Sequence, residues 1–425
     1  MIGLPSNWRW STVAAEGSVD LGRQRHPNWH TGPEMRPYLR VANVFEDRID
    51  TTDLKYMDFS GVFDRYKLRS GDVLLNEGQS PELLGRPAIY RGIPDDIAFT
   101  NTLIRFRAGP AATPEWALTV FRHYMHSGRF AREARITTKI AHLSASRLKA
   151  VEFPVPPLEE QRHIVGILED HLSRIEAADG YVATGSRRAL ALVKSLLRTI
   201  IPDVAEYPSH WTTSTVDQAG RVELGRQRHP DWHTGPNMRP YLRVANVFED
   251  RIDLSDVKEM HWPGETFERF RLRPGDVLLN EGQSPEFLGR PAIYRGDPPA
   301  IAFTNTLLRF TPHDGVMPEF ALLVFRRHMH TGRFTREARI TTNIGHLSAA
   351  RLKPIEFPIP PVKEQAKIVA QAKEYLDAIQ CLERELARAV ARSATLRRSL
   401  LSAAFSGRLT NEQAQRPLAA GLVDA

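Results

Sequence analysis

MRPYLRVANVFEDRID occupies residues 35–50, and the same sixteen letters return at residues 238–253. The match extends outward from there. LGRQRHP begins at Leu21 and Leu224, WHTGP at Trp29 and Trp232, GDVLLNEGQSPE at Gly71 and Gly275, and LGRPAIYRG at Leu84 and Leu288. IAFTNTL follows at Ile97 and Ile301, and REARITT at Arg132 and Arg336. The offset is 203, then 204 after a one-residue insertion between Asp50 and Gly71. A period this long marks a duplicated domain, since solenoid repeats run roughly 20 to 50 residues.

The text changes character after each copy. No proline occurs from Leu158 until Pro202, nor from Val362 until Pro417. Each stretch opens alike, PPLEEQRHIV at Pro156 and PPVKEQAKIV at Pro360, with proline before the first turn and early glutamates, which favours a helix start. Ile368, Ala372, Tyr375, Ile379, Leu382 and Leu386 alternate steps of four and three. Val165, Leu168, Leu172 and Ile175 do likewise, followed by Val182 and, past an interruption at Gly185, by Leu190, Val193, Leu197 and Ile200. This spacing predicts an apolar seam along each helix, as in coiled coils. A helix of about 40 residues spans roughly 60 Å.

The expected order is a head over residues 1–157, a helical spacer over 158–205, a second head over 206–361, a second spacer over 362–409 and a disordered tail over 410–425. A seamed helix needs a partner, so the two helices are expected to pack antiparallel and hold the heads apart about a pseudo-twofold axis. Twofold geometry suits an inverted-repeat ligand. Within each head YLRVANVF, GDVLLN and PAIYRG have strand composition. Residues 115–132 and 319–336 have helical periodicity, with Trp116, Val120 and Tyr124 on one face, and HLSASRLK and HLSAARLK suit a short final helix or turn. The fold class is therefore α+β, two duplicated mixed heads and two long helices.

At 425 residues and 42% hydrophobic, the chain suffices for two cores of about 150 residues each. A net charge of +7 and a pI of about 9.5 fit a polyanionic partner without singling one out. The single cysteine, Cys381, excludes an intrachain disulfide or Cys-based zinc site and suits a reducing cytoplasm. The opening MIGLPSNWRW lacks a signal-sequence core, and no run approaches the ~20 apolar residues of a membrane span.

Two dissimilar kinds of segment now carry a family likeness. PPLEEQRHIVGILEDHLSRIE, PPVKEQAKIVAQAKEYLDAIQ and the closing RRSLLSAAFSGRLT at residues 397–410 resemble the specificity subunit of type I restriction-modification systems, as do GDVLLNEG and ITTKIAHLS within the heads. The resemblance covers essentially the whole chain. It implies two target recognition domains, each reading half of a split double-stranded DNA site, helices that set the gap, two methyltransferase subunits docked on the assembly and a translocating restriction subunit for cleavage.

No Gly-rich loop followed by an Asn-Pro-Pro-aromatic motif supports S-adenosylmethionine binding, and no G-x-x-x-x-G-K-[ST] loop supports ATP use. S-adenosylmethionine, ATP and magnesium would then belong to partner subunits. Asp95 and Asp96 are replaced by Pro299 and Ala300 in the second copy, so a duplicated nuclease site fails there. Asp72, Glu77, Asp276 and Glu281 persist, but no lysine accompanies them at a convincing spacing, and a strand-end turn explains the aspartates. No catalytic or metal residue is assigned.

Three repeated polar clusters can meet DNA, because Arg and Lys bind phosphate and guanine while Asn and Gln suit adenine. The first is Arg23, Gln24, Arg25 and His26 with Arg226, Gln227, Arg228 and His229; a solvated loop explains it equally well. The second is Asn76, Glu77 and Gln79 with Asn280, Glu281 and Gln283, for which turn chemistry is the alternative. The third is Arg132, Arg135, Thr137, Thr138 and Lys139 with Arg336, Arg339, Thr341, Thr342 and Asn343. Its arginines, three apart, are expected on one helical face as a backbone clamp, for which a plain exposed helix end is the alternative. Asn43 and Asn246 are expected to be buried and satisfied, and Trp8, Trp211, Trp29 and Trp232 to pack in cores. His142 and His346 are expected to cap or pack.

Identical readers in both heads predict a symmetric, interrupted palindrome with half-site centres roughly 10 bp apart. By the resemblance, each half-site holds an adenine that becomes N6-methylated. Lys139 against Asn343, Ala141 against Gly345 and Ser70 against Pro274 are the differences able to break the symmetry. Arg187, Arg188, Lys194 and Arg198 on the first helix, and Glu383, Arg384 and Arg388 on the second, offer a partner surface or an ordinary solvated face. A stand-alone DNA-binding regulator built from the same heads is the rival class, and an enzyme with an unseen motif is another.

Overall fold

The computed structural model describes residues 4–137, 140–341 and 343–410. The chain divides into two compact units, residues 1–182 with 388–425, and residues 183–387. Each unit therefore holds one head and a part of both long helices. The expected tail lies outside the described residues, except Thr410.

The core of the first head is a four-stranded antiparallel sheet in the order Gly17–Leu21, Leu103–Ala108, Val73–Asn76, Pro87–Ile89. Its central strand, VLLN, is wholly buried because both faces are covered. Side chains alternate across a strand. Val73 and Leu75 accordingly face the helix Pro114–His126 and its cluster, while Leu74 faces a second cluster with Phe99 and Tyr90. Trp116, fully buried on that helix, donates from Nε1 to the Pro154 carbonyl at 2.9 Å. The second unit repeats the arrangement with Gly220–Leu224, Leu307–Pro312, Val277–Asn280 and Pro291–Ile293.

The run YLRVANVF is not one strand. The strand Met35–Leu39 ends, a 3-10 turn forms at Val41–Asn43, and pairing resumes at Val44–Phe45. Asn43 causes the interruption. Its Oδ1 accepts from Arg40 N at 3.1 Å and its Nδ2 donates to the carbonyls of Asp50 and Asp53 at 2.9 and 3.2 Å. Asn246 repeats these bonds. Both are buried and satisfied, as expected, but in a turn.

The long helices span Leu158–Ile200 and Val362–Phe405. The glutamine of each PP-x-x-E-Q start fixes the helix to its head. Gln161 is fully buried, accepting from Thr113 N at 2.9 Å and donating to the carbonyls of Ala111 and Pro156 at 2.8 and 2.9 Å. Gln365 does the same with Met317 N and the carbonyls of Gly315 and Pro360. The preceding glutamate accepts a tryptophan N–H, Trp8 to Glu160 at 2.9 Å and Trp211 to Glu364 at 3.0 Å. Trp8 and Trp211 are buried, as expected.

In the first unit the opening turns of the first long helix (Ile164, Val165, Leu168, Ile175) share a core with the closing turns of the second (Leu400, Ala404, Phe405). Arg397 pairs with Asp179 there at 2.8 Å. In the second unit Val193 and Leu197 share a core with Ala372, and Ile368, Val369, Leu376 and Ile379 pack on it. Opposite ends thus meet in each unit, which is antiparallel packing. The first helix continues through Gly185, where a Cβ would lie 3.0 Å from Leu386 Cδ2, so the small residue admits a close approach. The seam differs from the spacing in three places. Tyr375, Leu382 and Leu190 are 51%, 43% and 45% exposed, and Leu376 takes the inward position beside Tyr375.

One corner distinguishes the units. In the second, residues 201–211 run directly from helix into head, and Arg327 Nε donates to the Ile201 carbonyl at 2.7 Å. In the first, Phe405 fills the position of Ile201, stacked 4.4 Å from His123, which replaces Arg327. Gly407 lies so close to Pro5 that a Cβ would reach its Cγ at 2.8 Å.

Burial, with a smaller contribution from His126, lowers the His123 pKa to about 4. Burial also lowers that of His328, which is almost wholly enclosed. The unfolded chain takes up these protons near pH 6.5 and the folded chain only near pH 4, so stability is complete above 6.5 and declines as pH falls through that window. His123 alone is expected to contribute about 3 kcal/mol to the decline. Urea unfolding followed between pH 7 and 4 should show a shallower dependence in His123→Phe; an unchanged curve would refute the assignment.

Candidate nucleic-acid interface

The first cluster follows the edge strand Gly17–Leu21 and turns at Pro27–Trp29. Its leading arginine is committed to the loop itself. The Arg23 guanidinium lies 4.0 Å over the Trp29 ring and 5.2 Å from Phe59, and donates to the Asp58 carbonyl. Arg226 is only 7% exposed, 3.8 Å over Trp232 and 4.8 Å from Trp262, and donates to the His261 carbonyl at 2.8 Å. Cation–π stacking of this kind is stronger when desolvated. Arg23 and Arg226 therefore position the loop, while Gln24, Arg25 and His26, and Arg228 and His229, remain exposed. Gln227 likewise stands in the exposed run that follows the buried arginine. His26 and His229 also accept from Asn28 N and Asp231 N, at 3.2 and 3.3 Å, and brace the turn. Trp29 and Trp232 are half-buried beneath the arginines.

In the second cluster the asparagines are internal. Asn76 and Asn280 are fully buried at the ends of central strands, with Nδ2 facing the carbonyls of Val44 and Val247 at 3.5 and 3.3 Å. They are not accessible to a DNA edge; polarity suggested a loop, but the strand extends through them. Gln79 and Gln283 are half-buried in two-residue strands and accept from Ser80 N and Ser284 N at 3.2 Å each. Asp72 is buried and accepts a bidentate pair from Arg107 at 2.7 and 2.8 Å, which makes it a structural turn residue.

The third cluster is not one helical face. Helices end at Glu133 and Glu337, Ala134 and Ala338 are extended, and Arg135 and Arg339 begin strands. Arg132 and Arg336 are exposed on the helices, and Arg135 and Arg339 are exposed on the strands. Thr138, Lys139 and Thr342 lie outside the described residues, as does the side chain of Thr137. Thr341 and Asn343 are exposed.

Folding joins the second and third clusters. Arg135–Thr137, Ile140–His142 and Gly78–Gln79 form one antiparallel sheet, pairing Arg135 with His142, Thr137 with Ile140 and Ala141 with Gln79. Arg339–Thr341, Ile344–His346 and Gly282–Gln283 form its equivalent. His142 and His346 neither cap nor pack. They are half-exposed, with Nδ1 3.2 Å from Glu77 and 3.4 Å from Glu281. Ile140 and Ile344, 50% and 49% exposed, escaped sequence reasoning that searched for polar groups. The alternation in R-I-T and I-A-H was the available signal.

Among the described residues no group of three or more His, Cys, Asp or Glu is placed to hold a metal. No described helix is long and apolar enough to cross a membrane.

Two similar heads thus each present basic and polar strands and are tied to long helices. The family model described as type I restriction modification DNA specificity domain matches residues 121–179. Along nearly its whole length the chain is similar to the type I restriction enzyme EcoKI specificity subunit of Escherichia coli (strain K12), 21% identical over 97% of this chain and 92% of the relative. It is also similar to the StySPI specificity subunit of Salmonella potsdam, 20% identical with the same coverage. Among solved structures, one described as showing complex assembly and conformational transition of the type I R-M system aligns with a TM-score of 0.74 at 20% identity, over 96% of this chain and 99% of that one. The HsdS subunit from Thermoanaerobacter tengcongensis aligns at 0.52 and 21% identity, over 95% and 98%. The chain is thus similar, along nearly its whole length, to the specificity subunits of type I restriction-modification systems and shares their fold.

Proposed function

We propose that each head reads one half of a gapped DNA site and that the two half-sites are the same sequence in inverted orientation. The observation that supports this is the correspondence of groups that reach the surface. Arg132, Arg135, His142 and Glu77 in one head are matched by Arg336, Arg339, His346 and Glu281 in the other, with the strand residues in the same register. Equal readers prefer equal bases. In this reading the chain is a non-catalytic cytoplasmic subunit that recruits two methyltransferase subunits and a restriction translocase. Those partners bind S-adenosylmethionine, ATP and magnesium and methylate adenine N6.

Co-expression with its cognate methyltransferase subunit, in a host free of adenine methylation, tests the reading by single-molecule sequencing. The expected result is a symmetric gapped motif modified on both strands, with half-site centres about one helical turn apart. Two unrelated half-sites would sink the symmetry argument while keeping the recognition role. Specific binding by the purified chain with no methylation would return the stand-alone regulator.

A further inference from the structure

We propose that the strand pair formed by Arg135–Thr137 and Ile140–His142, and its counterpart Arg339–Thr341 with Ile344–His346, enters the major groove and that Ile140 and Ile344 contact a thymine methyl there. This rests on the DNA-recognition role proposed above and assigns it a base-discriminating residue.

Alternation fixes which side chains share a face. His142 lies two residues from Ile140 on the same strand and opposite Arg135 on the next, so Arg135, Ile140 and His142 project to one side. The other side is anchored: Ala141 is fully buried in the core cluster that includes Leu84 and Leu143. In the second unit Gly345 is buried with Leu288 Cδ2 3.1 Å from where its Cβ would be, and Arg339, Ile344 and His346 project outward. The outward face thus runs from arginine and histidine, beside a carboxylate, to an isoleucine nearer the hairpin tip.

A single exposed aliphatic residue on a surface has no special meaning. Here the same residue stands half-exposed at the same register in both units, 50% and 49%, beside Arg135 or Arg339 and on a ribbon whose other face is anchored through Ala141 or Gly345, although Ile340 on that other face is also 49% exposed. A two-stranded ribbon fits the major groove, whose floor offers one apolar group, the C5-methyl of thymine. Arginine at the base of the ribbon lies where the phosphate rim would be, and isoleucine towards the tip lies where bases are. The adjoining third strand is only two residues long and pairs with Ala141 and His142, leaving the Ile140 end of the ribbon free to penetrate.

The test uses the full chain assembled with its methyltransferase. Each thymine of the half-site is replaced in turn by deoxyuridine, which deletes only the methyl group, and equilibrium binding is measured. The wild type is expected to weaken about four-fold per deleted methyl at one thymine position in each half-site. The Ile140→Ala/Ile344→Ala variant should lose that discrimination and recognise the rest of the motif, and Ile140→Val/Ile344→Val should retain most of it. Uracil tolerated at every position, discrimination persisting in the alanine variant, or a half-site without thymine would each overturn the proposal while leaving the recognition role intact. A wild-type complex with no sequence preference would sink both readings.

Discussion

Replacing Gln161 by leucine is expected to destabilise the first unit by about 3–5 kcal/mol. Leucine nearly matches glutamine in volume, so the cost lies in hydrogen bonding. Thr113 N loses an acceptor at 2.9 Å, and the carbonyls of Ala111 and Pro156 lose donors at 2.8 and 2.9 Å. A buried backbone group left unpaired costs about 1–3 kcal/mol. Those three groups belong to the segment before the head's main helix and to the start of the long helix, so the substitution frees one from the other. Gln161→Glu keeps the acceptor and forfeits both donations, and should also be destabilising. Hydrogen exchange would report the opening as faster exchange around residues 111–113. A change below about 1 kcal/mol in urea unfolding would show that water replaces the side chain and that the anchor is dispensable.

The second large effect concerns charge. Replacing Arg132, Arg135, Arg336 and Arg339 together by alanine is expected to make the slope of log K against log salt shallower by about 0.9 for each phosphate no longer neutralised. At about 1 kcal/mol for each such phosphate, affinity should fall about 1,000-fold at fixed salt. All four side chains are exposed, so the fold should tolerate their removal. Their positions at a helix end and a strand start give a wider footprint than one helical face would, with cations on either side of an extended alanine. Fluorescence anisotropy over a salt series, with the methyltransferase complex, gives both quantities. An unchanged slope would remove these arginines from the interface.

Much of this fold was legible because the chain states it twice. Letter-for-letter repeats fixed the two heads, and the proline-free seams fixed both helices and their antiparallel packing. Local detail escaped where a side chain competes with the backbone. Asn43 and Asn246 take over turn carbonyls and split an apparent strand, and extended Ala134 and Ala338 end helices that periodicity would continue. The candidate site was legible as a set of polar types, not as roles. Whether Arg226 faces solvent or a tryptophan depends on two rings, and spacing alone does not place the more distant of them, Trp262, beside it. Asn280 looked like a loop residue because its neighbours Glu281 and Gln283 are polar; the strand beneath it decided otherwise.

The contrast at Phe405 bears on how the protein is made. Residues 183–387 complete the second unit by themselves, whereas the first shares its core with Leu400, Ala404 and Phe405. During synthesis, with the chain emerging from its N-terminal end, domains fold as their parts become available. The head translated first therefore keeps its His123 face uncovered until the other head has been finished and the last helix has left the ribosome. The half of the duplication that appears first is the half whose core is completed last.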